Sequence, residues 1–206
     1  MEEFKNLDFY DESTDLHFHK LNPNIAGEDF HFYSLLNTWK SENIKKFLSR
    51  GPLGDSMQPE SRSDSYVIQN GSMEVVGCVR LFPNTAIIGH NELTKYATTP
   101  PIKNSDYFLS LENARDLLKA DATGLYISSF ATNPNQPRKG FGTRILNAIA
   151  QNATLFNRNK KPLCTMAMVE SANEFSKKAF EKANFLTLPY DATGLENFYK
   201  INDFEL

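Results

Sequence analysis

Thr132-Asn133-Pro134-Asn135-Gln136-Pro137-Arg138-Lys139-Gly140-Phe141-Gly142-Thr143 is the stretch on which the reading of this chain turns. Before it stands Leu125-Tyr126-Ile127-Ser128-Ser129-Phe130-Ala131, an apolar and β-branched run that reads as a strand. After it, Ile145, Leu146, Ile149, Ala153 and Phe156 recur at spacings of three and four, the period of a helix with one buried face. The order is therefore strand, proline-broken loop, two glycines, helix. A helix start carries backbone N–H groups with no partner inside the helix, and the positive end of the helix dipole. Gly140 and Gly142 leave that backbone open to an anion, and Arg138 and Lys139 add positive charge. The pattern predicts a seat for a phosphorylated cofactor; a tight turn feeding a packed helix is the plainer alternative. Spacing excludes two other phosphate motifs. A dinucleotide fingerprint needs a small residue where Ile145 stands, and the chain has no Gly-Lys-Ser/Thr string of a P-loop.

The same residues resemble the central motif of the GCN5-related N-acetyltransferase family, which runs strand, Val-x-Pro, two residues, Arg/Gln-x-x-Gly-x-Gly/Ala, helix. Thr132-Asn133-Pro134 and Pro137-Arg138-Lys139-Gly140-Phe141-Gly142 match it without a gap. Pro137 stands where the family has Arg or Gln, and proline removes one amide donor. A second match follows downstream, where the family has Asn, then seven residues on a Tyr, then Glu-Lys-x-Gly-Phe. Asn173, Phe180, Glu181, Lys182, Asn184 and Phe185 fall in that register. Asn184 replaces glycine at a position expected to be left-handed, where Asn is the next choice. Phe180 replaces the tyrosine thought to protonate the departing thiolate in many members, and it has no proton to give.

The resemblance covers nearly the whole chain. It implies an α/β, single-domain fold over residues 1–206. A mixed central sheet of about seven strands, flanked by helices, would be splayed between its two central parallel strands. It further implies acetyl transfer from acetyl-CoA to an amine acceptor, as acyl donor and with no metal. The pantetheine arm would pair with the backbone of Phe130, Ala131 and Thr132, and a bulge at Asn133-Pro134 would open the slot for it. Amides of Arg138, Lys139, Gly140, Phe141, Gly142 and Thr143 would hold the pyrophosphate. Asn173 and Phe180 would face the arm from the other side. For the base that deprotonates the amine, the first candidate is Glu170, at the end of the neighbouring strand (163–169); helix capping or solvation is the plainer role. A protein that holds acetyl-CoA or CoA without turnover is the alternative, and transfer to oxygen or of a longer acyl group a third.

The rest of the sequence bounds these expectations. The 206 residues suit one domain with a sizeable core, at 40% hydrophobic and 23% charged. A net charge of −3 gives no basic field for nucleic acid or an anionic membrane. Neither a long apolar run nor a signal-peptide pattern is visible, so the expected location is the cytoplasm, as a monomer or homodimer. Cys78 and Cys164, each in an apolar strand, read as buried free thiols. A strand is expected at 16–21, helices at about 28–39 and 41–48, and a loop at 51–64. A hairpin (65–69 and 73–82) is expected around Asn70-Gly71, and a closing pair at 185–188 and 197–202. Residues 83–124 form an insertion before the motif strand, read as decoration, acceptor lid or dimer contact. His17 and His19 are read as alternating to opposite faces of one strand, against a two-histidine metal site; His31 and His90 lack catalytic partners. Glu28, Asp29, Glu92 and Asp106 are acids that could draw in a cationic amine.

Overall fold

The computed structural model describes residues 8–22, 34–36, 38–39, 63–87, 123–136, 140–171, 173–189 and 194–201. Eight strands form one sheet: β1 (Phe9–Asp11), β2 (Leu16–Lys20), β3 (Asp64–Asn70), β4 (Val75–Ala86), β5 (Thr123–Thr132), β6 (Cys164–Glu170), β7 (Leu186–Pro189) and β8 (Leu195–Ile201). Their order is β1-β2-β3-β4-β5-β6-β8-β7. Neighbours are antiparallel except β5 and β6, which run parallel at the centre. Three helices follow the motif: α1 (Phe141–Gln151), α2 (Ala153–Phe156) and α3 (Glu174–Lys182). The expected count of about seven strands falls one short, because β1 is only three residues, too short for a periodic signal. Residues 34–36 and 38–39 are helical, within the expected 28–39 helix; the rest of that helix, the 41–48 helix and nearly all of the 51–64 loop lie outside the described residues.

Period-two alternation divides the side chains between two faces. Leu125 and Ile127 of β5, Val79 and Leu81 of β4, and Ala167 and Val169 of β6 pack against Ile145, Leu146 and Ile149 of α1. Each such fully buried aliphatic side chain is worth ~1.5–3 kcal/mol in water exclusion. On the other face, Met166 and Tyr199 cluster with Cys164 and Ile87, and Leu36 and Trp39 cluster with Cys78. Ala153 and Phe156 are buried as the helical spacing predicts, but Asn152 interrupts the helix between α1 and α2. The two cysteines are free and buried, and burial pushes the Cys164 thiol up to about 12.

Two local expectations are corrected, and the hairpin holds. β4 continues to Ala86 and β5 begins at Thr123, with Thr85 opposite Gly124 and Ala86 opposite Thr123. Both ends of the expected 83–124 insertion are thus strand; residues 88–122 lie outside the described residues. The expected hairpin forms around Asn70-Gly71, with a positive φ on Met73. Asn70 organises the loop through its side chain, whose Oδ1 accepts from the Ser72 and Glu74 amides at 3.0 Å. His17 and His19 share a face, as residues two apart on a strand must, and their rings stack at 6.2 Å. No group of three metal-ligating side chains occurs among the described residues.

Candidate functional site

The centre of the sheet comes apart in a defined way. β5 and β6 pair only from Leu125 opposite Thr165 to Ile127 opposite Ala167. Both strands continue, β5 to Thr132 and β6 to Glu170, with no further pairing between them. The cause lies on the β4 side. Arg80 pairs with Ser129 and Leu81 with Ile127, so Ser128 is an extra residue in β5. Such a bulge bends the strand that carries it. Its effect on the faces is visible: Ile127 and Phe130, three apart, both pack on the helix side. The splay therefore starts at Ser128, five residues before the expected bulge at Asn133-Pro134.

Beyond the bulge β5 stays held by β4. The Asn133 amide donates to the Val76 carbonyl at 2.9 Å, and its side-chain amide to the Val75 carbonyl at 2.9 Å. In an antiparallel ladder, residues alternate in aiming their backbone groups at one neighbour and then away from it. Counting back from Asn133, Ala131 and Ser129 face β4, while Thr132 and Phe130 aim N–H and C=O into the gap. Among the described residues the gap thus has one edge of backbone without a ladder partner, at Phe130 and Thr132. Asn133 also holds the loop: its Oδ1 accepts from the Asn135 amide at 3.0 Å and its carbonyl from the Gln136 amide at 3.1 Å. Sequence reading passed over this anchor, although Asn before Pro is a turn-initiating pair.

At the far end of the loop α1 begins without a cap. Gly140 is its N-cap, at φ 70 and without a side-chain cap bond, and no acid lies in the first turn. The first intrahelical bond runs from the Arg144 amide to the Gly140 carbonyl at 3.0 Å. The N–H groups of Phe141, Gly142 and Thr143 precede it and have no partner within the helix. Arg138 and Lys139 lie outside the described residues. Arg144 turns away, donating to the Thr14 carbonyl and covering the Phe141 ring at 5.1 Å.

The two glycines do different work. Gly140 is exposed, and a Cβ there would meet nothing; its left-handed backbone is what calls for glycine. At Gly142 a Cβ would meet Ala179 of α3 at 3.4 Å, Phe130 at 3.7 Å and Thr132 at 3.8 Å. Gly142 is where α1, α3 and the open half of β5 pack together.

The facing bank comes from β6 and α3. Asn173 is the N-cap of α3, its side chain accepting from the Ser176 amide at 3.1 Å. Glu170 ends β6, half-buried, on the face of Met166 and Met168, opposite the helices; its carbonyl accepts from the Asn173 amide at 2.8 Å. Close by, Lys177 donates to Glu196 at 2.9 Å and to the Ser171 carbonyl at 3.2 Å. The Glu196 contact, with a weaker one to Glu174, raises the Lys177 pKa and keeps it cationic. Phe180 is 2% exposed, packed at 5.0 Å against both Phe185 and Phe198. α3 then ends as the sequence foretold. Asn184 is left-handed at φ 59, with its amide on the Glu181 carbonyl and the Phe185 amide on the Phe180 carbonyl, a Schellman ending closed by the Phe180–Phe185 contact. Glu28, Asp29, Glu92, Asp106, His31 and His90 lie outside the described residues.

A mixed sheet split between its two central parallel strands, with an uncapped helix start at the end of one of them, defines the GCN5-related N-acetyltransferase fold, and this chain has it. Among solved structures it is similar to a variant of the spermidine N-acetyltransferase SpeG from Vibrio cholerae, at 11% identity over 92% of this chain and 95% of that one, with a TM-score of 0.52. It is also similar to a protein assigned as an acyl-CoA N-acyltransferase from Klebsiella pneumoniae, at 13% identity over 92% and 99% of the chains, with a TM-score of 0.50. No protein-family model and no curated protein matches the sequence. These two solved proteins carry acetyl- or acyltransferase names. Among the described residues no helix is long and apolar enough to cross a membrane.

Proposed function

We propose that the protein transfers an acetyl group from acetyl-CoA to a primary amine of a small molecule or peptide, by direct attack in a ternary complex. The observation that carries this reading is the coincidence of two openings on one strand. β5 parts from β6 after Ile127, and the same β5 leads into the uncapped start of α1. An extended pantetheine arm suits the first opening, because Phe130 and Thr132 present backbone groups there as an edge strand does. A pyrophosphate suits the second, where the amides of Phe141, Gly142 and Thr143 meet the positive end of the helix dipole. Arg138, Lys139 and Gly140 would complete that cradle.

In the reaction the amine nitrogen attacks the thioester carbonyl carbon. The new C–N bond forms, the C–S bond breaks, the amine gives up its proton, and CoA leaves as a thiolate that takes one up. A strand amide near Phe130 would polarise the carbonyl. Glu170, on the bank across the gap and on the face away from the helices, is the candidate base. Asn173 would approach the arm from α3. Phe180 supplies bulk in the core and no proton, so the thiolate would take its proton from water.

A second reading, a CoA-binding protein without turnover, is favoured by one observation: Phe180, at the position where the resemblance implies an acid, is a hydrocarbon ring buried in the core. One pair of measurements separates the two. CoA binding by calorimetry and amine-dependent thiol release from acetyl-CoA are both expected. CoA binding without thiol release above hydrolysis, across a panel of amines, leaves the second reading; no CoA binding ends both.

A further inference from the structure

The loop that joins β5 to α1 is held from the side by three consecutive residues, Glu74, Val75 and Val76, where the hairpin turn enters β4. The Val76 carbonyl accepts from the Asn133 amide and the Val75 carbonyl from the Asn133 side chain, both at 2.9 Å. Glu74 adds a third tie, its Oε2 accepting from Gln136 Nε2 at 3.0 Å. The first two acceptors are backbone groups that any residue would supply. The third depends on the Glu74 side chain.

The same Glu74 oxygen also accepts from Asn70 Nδ2 at 3.0 Å. Asn70 is fixed independently of it. Its Oδ1 accepts from the Ser72 and Glu74 amides, and its carbonyl from the Met73 amide at 2.8 Å. One carboxylate oxygen therefore joins an ordered hairpin turn to the side chain of Gln136, 62 positions further along the chain. Gln136 is committed to this contact. Turning its amide over would set Oε1 against the carboxylate, two acceptors facing each other. In the orientation it holds, Oε1 is buried without a hydrogen-bond partner, a cost that a side chain swung into water would not carry. The backbone is held as well. The Gln136 amide donates to the Asn133 carbonyl at 3.1 Å, and the following Pro137 steers Gln136 toward extended conformations. Four positions on stands Gly140, the N-cap of α1, which the chain can place at most about 14 Å away.

We infer that Glu74 is a positioning residue for the acyl donor: acting through Gln136, it fixes the loop ahead of the α1 start before the ligand arrives. The inference rests on the reading of that start as the pyrophosphate seat. A loop ordered in advance spares the ligand the entropy of ordering it, and the difference appears as affinity. Charge alone predicts the opposite sign. A carboxylate within reach of the seat repels a pyrophosphate, so its removal would tighten binding. Bracing and charge thus pull CoA affinity in opposite directions.

The test uses the full chain, with CoA in calorimetry and with acetyl-CoA where it is turned over. Glu74→Ala should weaken CoA about fivefold, the worth of the exposed hydrogen bonds it removes. The KM for acetyl-CoA should rise by the same factor, with kcat unchanged and little change in Tm. In Glu74→Gln one carboxamide oxygen can accept both bonds, as Oε2 does, so CoA affinity should return to that of the wild type. Gln136→Ala should match Glu74→Ala, and the double variant should bind no more weakly than either alone. Without CoA, the Asn135 and Gln136 amides, both bonded to Asn133, should exchange with solvent faster in the two alanine variants. In Glu74→Gln they should exchange at the wild-type rate. Equal or tighter CoA binding by Glu74→Ala would overturn the inference. So would a glutamine variant as weak as the alanine one, or losses that add in the double variant. A wild-type protein that binds no CoA ends the seat reading instead. Amide exchange then decides alone whether Glu74 orders the loop, and unchanged rates in Glu74→Ala overturn it.

Discussion

Two helices lie side by side on this sheet and begin in opposite ways. α3 starts on Asn173, whose side chain closes onto the Ser176 amide, with Glu174 in the first turn against the dipole. α1 starts on a left-handed glycine, with no cap and no acid. Both follow central strands and pack on the same core, so packing does not account for the difference. A capped start is complete as it stands, whereas an uncapped one leaves donors and partial positive charge for something outside the chain. The contrast sets the start of α1, at the end of the splayed β5, beside the proposed pyrophosphate reading, because it leaves its donors open. α3, by contrast, packs through Ala179 against Gly142 and through Phe180 within the core.

The strongest way to break this comparison is Gly142→Asp. A carboxylate would enter the α1 seat and its bulk would extend beyond the Cβ, so CoA affinity measured by calorimetry should fall on the order of a hundredfold or more. Gly142→Ala separates the two causes, since its Cβ meets only ordinary contacts, and it should bind nearly as the wild type does. An Asp variant with unchanged affinity would remove the seat from α1.

The paired half of β6 is probed by alkali. Burial raises the thiol of Cys164 from 9.0 to about 12, and burial likewise raises the phenol of Tyr66 from 10.0. Both groups hold their protons more tightly folded than unfolded, so the unfolded chain releases them first and stability falls as pH rises above 9. Thermal unfolding should show Tm declining from about pH 9 toward 12, and Cys164→Val should flatten the first part of that decline.

Phe180→Tyr asks whether α3 reaches the chemistry. A hydroxyl placed between Phe185 and Phe198 should cost about 1–3 kcal/mol in chemical unfolding. A gain in turnover at unchanged stability would show instead that the hydroxyl finds the gap and that a missing acid limits the rate. The smallest effect belongs to the cap: Asn173→Ala should lower stability by about 1 kcal/mol. A loss of CoA affinity beyond that destabilisation would mark Asn173 as a direct contact as well.

Much of this was legible in residue order. The spacing from Ile145 to Phe156 sets which side of α1 is buried, and Asn184 announces a left-handed helix end because glycine and asparagine tolerate that backbone. Such readings succeed because they rest on local geometry, three to five residues wide. The strand–loop–glycine–helix run likewise determined that a central strand feeds an open helix start. What tertiary structure alone decided is where neighbours meet. The splay begins at Ser128 because β4 and β5 are out of step there, and no property of Ser128 itself records that. Ala179 and Phe130 converge on Gly142 from elements far apart in sequence. Asn197 reads as an ordinary strand residue until burial on β8 leaves its amide without a hydrogen-bond partner among the described residues. Pattern and capping act within one segment, whereas register, close approach and desolvation come from the partner strand or helix and appear only once the chain has folded.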